Sequence, residues 1–90
     1  MQASNADIQN RILAVVKSIL EQNSIEAEVG VESLLVDVGL NSVDMVNLML
    51  AVEAEFDLTI PQAKITPENF ESVKTLQQLI ITQLQPAMVL

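Results

Sequence analysis

A helix-capping signal followed at once by a strongly apolar segment constrains this chain more than any other feature. Residues 37–56 read DVGLNSVDMVNLMLAVEAEF, and a glycine turn precedes the capping signal. Asn41 is a favoured N-cap residue, and Asp44 stands where it can complete a capping box and place negative charge at the positive end of the helix dipole. The sequence therefore predicts a helix from about Ser42 to Phe56.

The Ser42 hydroxyl is predicted to lie at the N-terminal end of this helix and to take no part in the cap. A hydroxyl at that position suits one kind of chemistry. Exposed amides and the positive dipole end favour a bound phosphate, so a serine there is well placed to carry a phosphodiester. It is poorly placed to act as a catalytic nucleophile, because the chain has no His and no Cys to activate or replace it. The plainer interpretation is an ordinary helix-start serine.

The faces of this helix follow from a rotation of ~100° per residue. The predicted core face consists of Met45, Met49, Val52 and Phe56, with Leu48 beside them. The opposite face carries Val43, Asn47, Leu50 and Ala54. Apolar residues clustered beside a serine that is well placed to carry a phosphodiester indicate a docking patch, and the alternatives are an unremarkable surface or a slightly rotated helix.

The first half of the chain predicts one more helix and a long connection. Apolar residues at helical spacing predict a helix over about residues 6–22. Residues 1–6 are expected to fray, with Ser4 as a candidate cap. The connection over residues 23–40 is long for a compact domain. We therefore expect its apolar residues to pin it to the core, with a short helical turn near 32–35.

Proline residues divide the second half of the chain. Pro61 prevents easy continuation of a helix, so residues 57–65 are predicted to be a loop that Ile60 anchors in the core. A Thr-Pro-Glu-Asn sequence then predicts a short third helix over residues 67–71, with Phe70 facing inward.

A last helix is predicted over residues 73–83, capped by Ser72 and ended by Pro86, with an apolar tail after it. The predicted fold is all-α: a small bundle of three main helices and one short helix, with a long first loop. It forms a single domain over residues 1–90, with a core of about 6–85.

Composition excludes several classes of function. The formal net charge of -8 argues against nucleic acid and anionic membranes as partners, because both require basic patches. The absence of Cys excludes a disulfide framework and a thiolate metal site. No signal peptide is visible, and no apolar run approaches the ~20 residues of a membrane span. The default expectation is a cytoplasmic protein.

The segment GLNSVDMVNLMLAVEAEF resembles the attachment segment of the acyl carrier protein family. That segment usually has Gly, a variable residue and Asp-Ser-Leu, then an apolar helix ending in an acid and Phe. The resemblance continues through Ile60 and Pro61 and covers roughly residues 8–84. It implies a carrier and not an enzyme, with a 4'-phosphopantetheine arm from coenzyme A attached to Ser42. An acyl group would ride on the thiol of that arm as a thioester.

The resemblance also implies partners and a docking surface. The partners are a phosphopantetheinyl transferase, a ligase or transferase that loads the acyl or aminoacyl group, and a downstream synthase or transferase. The carrier is expected to be a monomer. Its predicted docking residues are Asn41, Val43, Asp44, Asn47, Leu50, Glu53 and Ala54.

The acids around the serine raise the question of a metal. In the family, the acid next to the serine helps to position magnesium and the transferase. The residue before the serine is usually Asp and is Asn41 in this chain. Asp37 and Asp44 flank the Ser42 turn, but we favour a cap and a surface charge over a metal or acid–base pair. No metal site is predicted.

Departures from the family pattern bear on the pathway. Asn47 and Ala54 occupy positions that are commonly Glu, and Val43 replaces the usual Leu. Fewer acids weaken electrostatic steering towards basic patches on fatty-acid synthesis enzymes. The segment KITPENFES resembles that of discrete carriers in specialised pathways, including aminoacyl carriers. The cargo stays open between acyl groups of fatty acid or polyketide biosynthesis and aminoacyl or peptidyl groups.

Two rival interpretations stay open from the sequence. One is an unmodified helical protein-interaction module that binds a partner without an arm. The other is a carrier domain excised from a polyketide or peptide synthetase, against which an initiator-like Met1 favours a free-standing protein.

Overall fold

Three long helices and one helical turn build residues 5–84, the part of the chain that this computed structural model describes. The helices are α1 (Asn5–Gln22), α2 (Leu35–Val38), α3 (Ser42–Phe56) and α4 (Val73–Leu84). A 3-10 turn, Gln62–Lys64, lies in the loop before α4. The predicted all-α class, with three main helices and a long first loop, is confirmed; the one short α-helix within residues 5–84 is α2, which lies in that loop. The predictions for Ser4, Pro86 and the apolar tail lie outside the described residues.

The core is aliphatic because α1 packs against both α3 and α4 and each helix contributes an apolar stripe. Its most deeply buried side chains are Ile12, Leu35, Leu48, Leu76, Ile80, Val16, Val52 and Val73. Phe56 and Phe70 are the only aromatic residues of the chain, and both are buried. As predicted, Ile60 is also buried and anchors the loop that follows α3.

The helical turn in the first loop begins at Leu35, not near Glu32, so the predicted position is wrong. Leu34 is extended, and the Leu35 amide donates to the Glu71 carbonyl at 2.9 Å. Leu35 is fully buried. Burial of Leu35 and this hydrogen bond to a distant segment therefore fix the start of α2. The turn ends at Gly39, whose φ of 114° is in the left-handed region that favours glycine.

The predicted short helix over residues 67–71 is also wrong, since this segment forms only a hydrogen-bonded turn. The Asn69 and Phe70 amides donate to the Thr66 carbonyl, at 3.1 and 3.2 Å. Phe70 faces inward as predicted. Ser72 caps α4 as predicted, through reciprocal hydrogen bonds with Thr75, and is itself buried. Because Ser72, the N-cap of α4, follows Phe70 so closely, too few residues remain for the turn to extend into a helix.

The inward face of α3 differs from the prediction by a rotation. Leu48 and Val52 are fully buried at its centre, whereas Met45 and Met49 are only half-buried and pack at the margin of the core. The rotation brings Asp44 inside as well, with 5% of its surface exposed. A buried carboxylate is tolerated only when its oxygens accept hydrogen bonds. The hydrogen bonds that Asp44 accepts are part of the candidate functional site.

Candidate functional site

A complete capping box holds the start of α3. The Asp44 amide donates to Asn41 Oδ1 at 2.9 Å, and the Asn41 amide donates to Asp44 Oδ2 at 3.0 Å. Asn41 has the extended backbone of an N-cap residue. The predicted cap is therefore confirmed, and both side chains serve to fix the turn.

A second hydrogen bond ties this turn to α1. Asn23 Nδ2 donates to Asp44 Oδ1 at 2.9 Å and to the Ile19 carbonyl at 3.0 Å. The end of α1 is thus joined through Asn23 to the capping box, and both carboxylate oxygens of Asp44 accept a hydrogen bond. The sequence carried no signal for this contact, because the two residues are 21 positions apart and belong to different elements.

Ser42 is exposed and is the first residue of α3. The first backbone hydrogen bond of the helix runs from the Met45 amide to the Asn41 carbonyl, at 2.9 Å. The amides of Ser42 and Val43 therefore have no carbonyl of the helix to bond, and the capping box uses neither. An exposed hydroxyl beside two such amides, at the positive end of a helix dipole, fits a phosphodiester.

Replacing Asn41 by Ala is expected to lower the free energy of unfolding by about 1 kcal/mol, because the Asp44 amide loses its acceptor. Thermal and urea unfolding followed by circular dichroism would measure the change. Asn47→Ala, on the exposed face of the same helix, is the matched control and should change the free energy by less than about 0.5 kcal/mol. Equal unfolding curves for wild type and Asn41→Ala would contradict the capping role.

An open apolar groove of about 810 Å³ begins at Ser42. From α3 it is lined by Ser42, Met45, Val46 and Met49. From the loop before α4 it is lined by Gln62, Ile65, Thr66, Pro67, Glu68, Phe70 and Glu71, and Leu34 and Val36 complete it. Most of this lining is apolar, so a flexible chain attached to Ser42 has a surface against which to lie.

The predicted docking residues do not all lie on the surface. Asn41, Val43, Asn47, Leu50 and Ala54 are exposed. Asp44 is buried in the capping box, and the Glu53 carboxylate accepts from the Ile60 amide at 2.8 Å. Asp44 is buried and Glu53 is half-buried, and both carboxylates accept hydrogen bonds that hold the fold, so the exposed face of α3 has fewer free acids than the sequence indicated.

Sequence reasoning missed one residue of this surface. Val46 lies between Ser42 and Leu50 along α3, and 52% of its surface is exposed. It is therefore as exposed as Leu50, at 53%, and nearly as exposed as Val43, at 68%. Val46 was left out of the predicted docking residues because the predicted inward face of α3 was centred about one residue away from the observed one. The outer surface of α3 therefore presents three sizeable apolar side chains next to the serine.

Metal binding gains no support from the residues that the structure describes. Among residues 5–84, no group of three or more His, Cys, Asp or Glu is placed to hold a metal ion. Asp37 is exposed, whereas Asp44 is buried.

None of the helices within residues 5–84 is long and apolar enough to span a membrane.

Comparisons with known proteins agree with this geometry. Residues 10–81 match the family described as phosphopantetheine attachment site. Aminoacyl carrier protein 1 of Bradyrhizobium diazoefficiens is 66% identical over 87 residues, which cover 97% of each chain. Aminoacyl carrier protein 2 of the same organism is 57% identical over 84 residues, 93% of this chain and 94% of its own.

Two crystal structures from Bradyrhizobium japonicum contain chains of the same fold. In glycine:[carrier protein] ligase complexed with its cognate carrier protein and an analogue of glycyl adenylate, the match has a TM-score of 0.75 and 64% identity, over 86% of this chain and 100% of the other. In the complex with glycylated carrier protein, the TM-score is 0.72 at 64% identity, over 81% and 99% of the two chains.

Proposed function

Because this chain belongs to the phosphopantetheine attachment-site family and is a carrier protein, we propose that it carries an aminoacyl group on an arm attached to Ser42. The observation that carries the proposal is the exposed Ser42 hydroxyl at the amide end of α3. When bound, 4'-phosphopantetheine supplies a thiol on which the cargo is held as a thioester. The chain itself supplies the attachment oxygen, amides for the phosphate and a rigid turn that presents both.

The aminoacyl cargo is the alternative that the sequence left open, and the relatives favour it over fatty acyl or polyketide cargo. Both curated relatives are named aminoacyl carrier proteins, and the matching crystal structures contain a glycine:[carrier protein] ligase. The few exposed acids on α3 agree, since steering towards basic docking patches would be weak. We place the chemistry in partner enzymes: a phosphopantetheinyl transferase, an amino acid ligase and a downstream acceptor.

Loading by the ligase tests the cargo. The protein is first converted to its pantetheinylated form with a broad-specificity transferase and coenzyme A, then incubated with glycine:[carrier protein] ligase, ATP and single amino acids. Intact mass should show one glycyl group on the pantetheinylated protein and none on the unmodified protein. A pantetheinylated protein that takes up fatty acyl groups from an acyl ligase, but no amino acid from any aminoacyl ligase, would contradict the proposal.

The exposed apolar side chains of α3 are proposed to dock the loading ligase. Leu50→Ser is expected to raise the ligase KM about tenfold with little change in kcat, because burial of a leucine side chain stabilises a contact by about 1.5 kcal/mol or more. Steady-state loading of the pantetheinylated protein measures both constants. Leu84→Ser, which changes an exposed leucine near the end of α4, is the control and should load normally. An unchanged KM for Leu50→Ser would place docking elsewhere.

A further inference from the structure

The C-terminal end of α1 has a fixed backbone conformation. Ser24 has a left-handed backbone, with a φ of 57°. The Ser24 amide donates to the Glu21 carbonyl at 3.0 Å, and the Ile25 amide donates to the Leu20 carbonyl at 2.8 Å. These bonds satisfy two of the last carbonyls of the helix and fix the direction in which residues 23–25 leave it.

Two side chains at this end of α1 contact the segment that starts α3. Ile25 lies against Gly39, since a Cβ atom on that glycine would be 3.4 Å from Ile25 Cδ1. Asn23 Nδ2 donates to Asp44 Oδ1 at 2.9 Å. One contact precedes Ser42 in the chain and the other follows it. The serine therefore lies between two supports that belong to the same end of α1.

The side-chain amide of Asn23 is oriented by a second hydrogen bond. Nδ2 also donates to the Ile19 carbonyl at 3.0 Å, and an asparagine amide has two N–H donors to share between two acceptors. Asp44 is 5% exposed, and its other oxygen, Oδ2, accepts from the Asn41 amide. Removal of the Asn23 donor would leave Oδ1 of a buried carboxylate without this bond, so the carboxylate would move towards water.

Movement of Asp44 would displace the serine as well. Asp44 is in the first turn of α3, and both its amide and its carboxylate bond Asn41. Ser42 lies between these two capping residues in the chain. The orientation of its hydroxyl, and of the free amides of Ser42 and Val43, therefore depends on the position of Asp44.

We propose that Asn23 is a positioning residue for attachment of the arm, acting through Asp44 on the Ser42 hydroxyl. This inference rests on the proposed function, since it concerns the reaction at Ser42. In that reaction the serine oxygen bonds to a phosphorus of the coenzyme A pyrophosphate, the adenosine half leaves with the other phosphate, and the serine proton passes to a base of the transferase. Such a displacement requires the attacking oxygen to be in line with the bond that breaks.

Steady-state pantetheinylation with a broad-specificity transferase and coenzyme A tests the role, at a temperature where circular dichroism shows every variant folded. Asn23→Ala should lower kcat about three- to tenfold with little change in KM, because the serine is misplaced while the exposed face of α3 is kept. An unchanged kcat would overturn the inference. A rise in KM alone would also overturn it, since Asn23 would then be a docking residue.

Gln9→Ala is the matched control. Gln9 is an amide side chain in the first half of α1, and its Nε2 donates across the helices to Gln77 Oε1 at 3.0 Å. Its replacement removes the same kind of bond far from Ser42, so kcat should equal that of wild type. An equal fall in kcat for Gln9→Ala and Asn23→Ala would attribute the loss to helix packing in general and overturn the positioning role.

Amide hydrogen exchange followed by nuclear magnetic resonance gives a readout besides activity. The Asp44 and Met45 amides both donate to Asn41 and close the first turn of α3. Their exchange should be about fivefold faster or more in Asn23→Ala, because local opening of this turn becomes easier, and unchanged in Gln9→Ala. Equal exchange at these two amides in wild type and Asn23→Ala would overturn the inference.

Intact mass separates the two levels of failure. If wild type gains the arm and Asn23→Ala gains it at the same rate, the positioning role is overturned and the carrier function stands. If wild type gains no arm, the proposed function fails, and the positioning role fails with it.

Discussion

Replacing Ser42 by Ala is expected to abolish attachment of the phosphopantetheine arm while leaving the fold unchanged. The hydroxyl oxygen is the atom that the phosphodiester needs, and the capping box that starts α3 does not use it. Intact mass after incubation with transferase and coenzyme A should show full conversion of wild type and none of Ser42→Ala. Circular dichroism should give superimposable spectra for the two unmodified proteins.

Ser18→Ala is the matched control for this experiment. Ser18 is an exposed serine near the C-terminal end of α1, so its loss should leave conversion complete. A wild-type protein that gains no pantetheine mass would instead favour the rival from the sequence, an unmodified helical interaction module. A Ser42→Ala variant that is still converted would place the attachment site on another hydroxyl.

Replacing Leu48 by Ala is expected to have the largest effect on stability. Leu48 is fully buried at the centre of the inward face of α3, so the change removes apolar contacts and leaves a cavity. Such substitutions cost about 2–5 kcal/mol. For a domain of this size, 1 kcal/mol corresponds to roughly 4–8 °C, so the Tm should fall by about 8 °C or more. Thermal and urea unfolding would measure both quantities.

Leu50→Ala is the control for Leu48→Ala. The same chemical change, made two residues later on the same helix, affects a side chain that is 53% exposed. It should lower the free energy of unfolding by less than about 0.5–1 kcal/mol. Equal losses of stability in the two variants would contradict the burial of Leu48 and the exposure of Leu50, and with them the proposed docking face on α3.

The bounds of α3 were predictable because local chemistry sets both ends. Asn41 and Asp44 start the helix through bonds between residues three apart, and Phe56 is followed by Asp57 in a left-handed conformation that ends it. Its rotation was less predictable. The apolar pattern of α3 is broad, and the choice between neighbouring faces is made by contacts with α1, including the bond from Asn23 to Asp44.

In the loops, tertiary contacts override the structure that the local sequence favours. The Thr-Pro-Glu-Asn signal predicted a helix over residues 67–71, but burial of Phe70 and the cap at Ser72 leave only a turn. The position of α2 depends on the Glu71 carbonyl, which lies far away in sequence. The groove beside Ser42 is lined in part by these same loops, so the sequence predicted an exposed serine at the start of α3 but not the residues that line the groove beside it.

The most direct test of the central claim is the position of the arm on the chain. Trypsin should release residues 18–64 of the pantetheinylated protein as one peptide, since Lys17 and Lys64 bound a stretch without Lys or Arg. This peptide contains Ser18, Ser24, Ser33, Ser42 and Thr59 as competing hydroxyl groups. Tandem mass spectrometry should place one phosphopantetheine on Ser42 and none on the others. Phosphopantetheine on any other residue, or none in the peptide, would contradict the account.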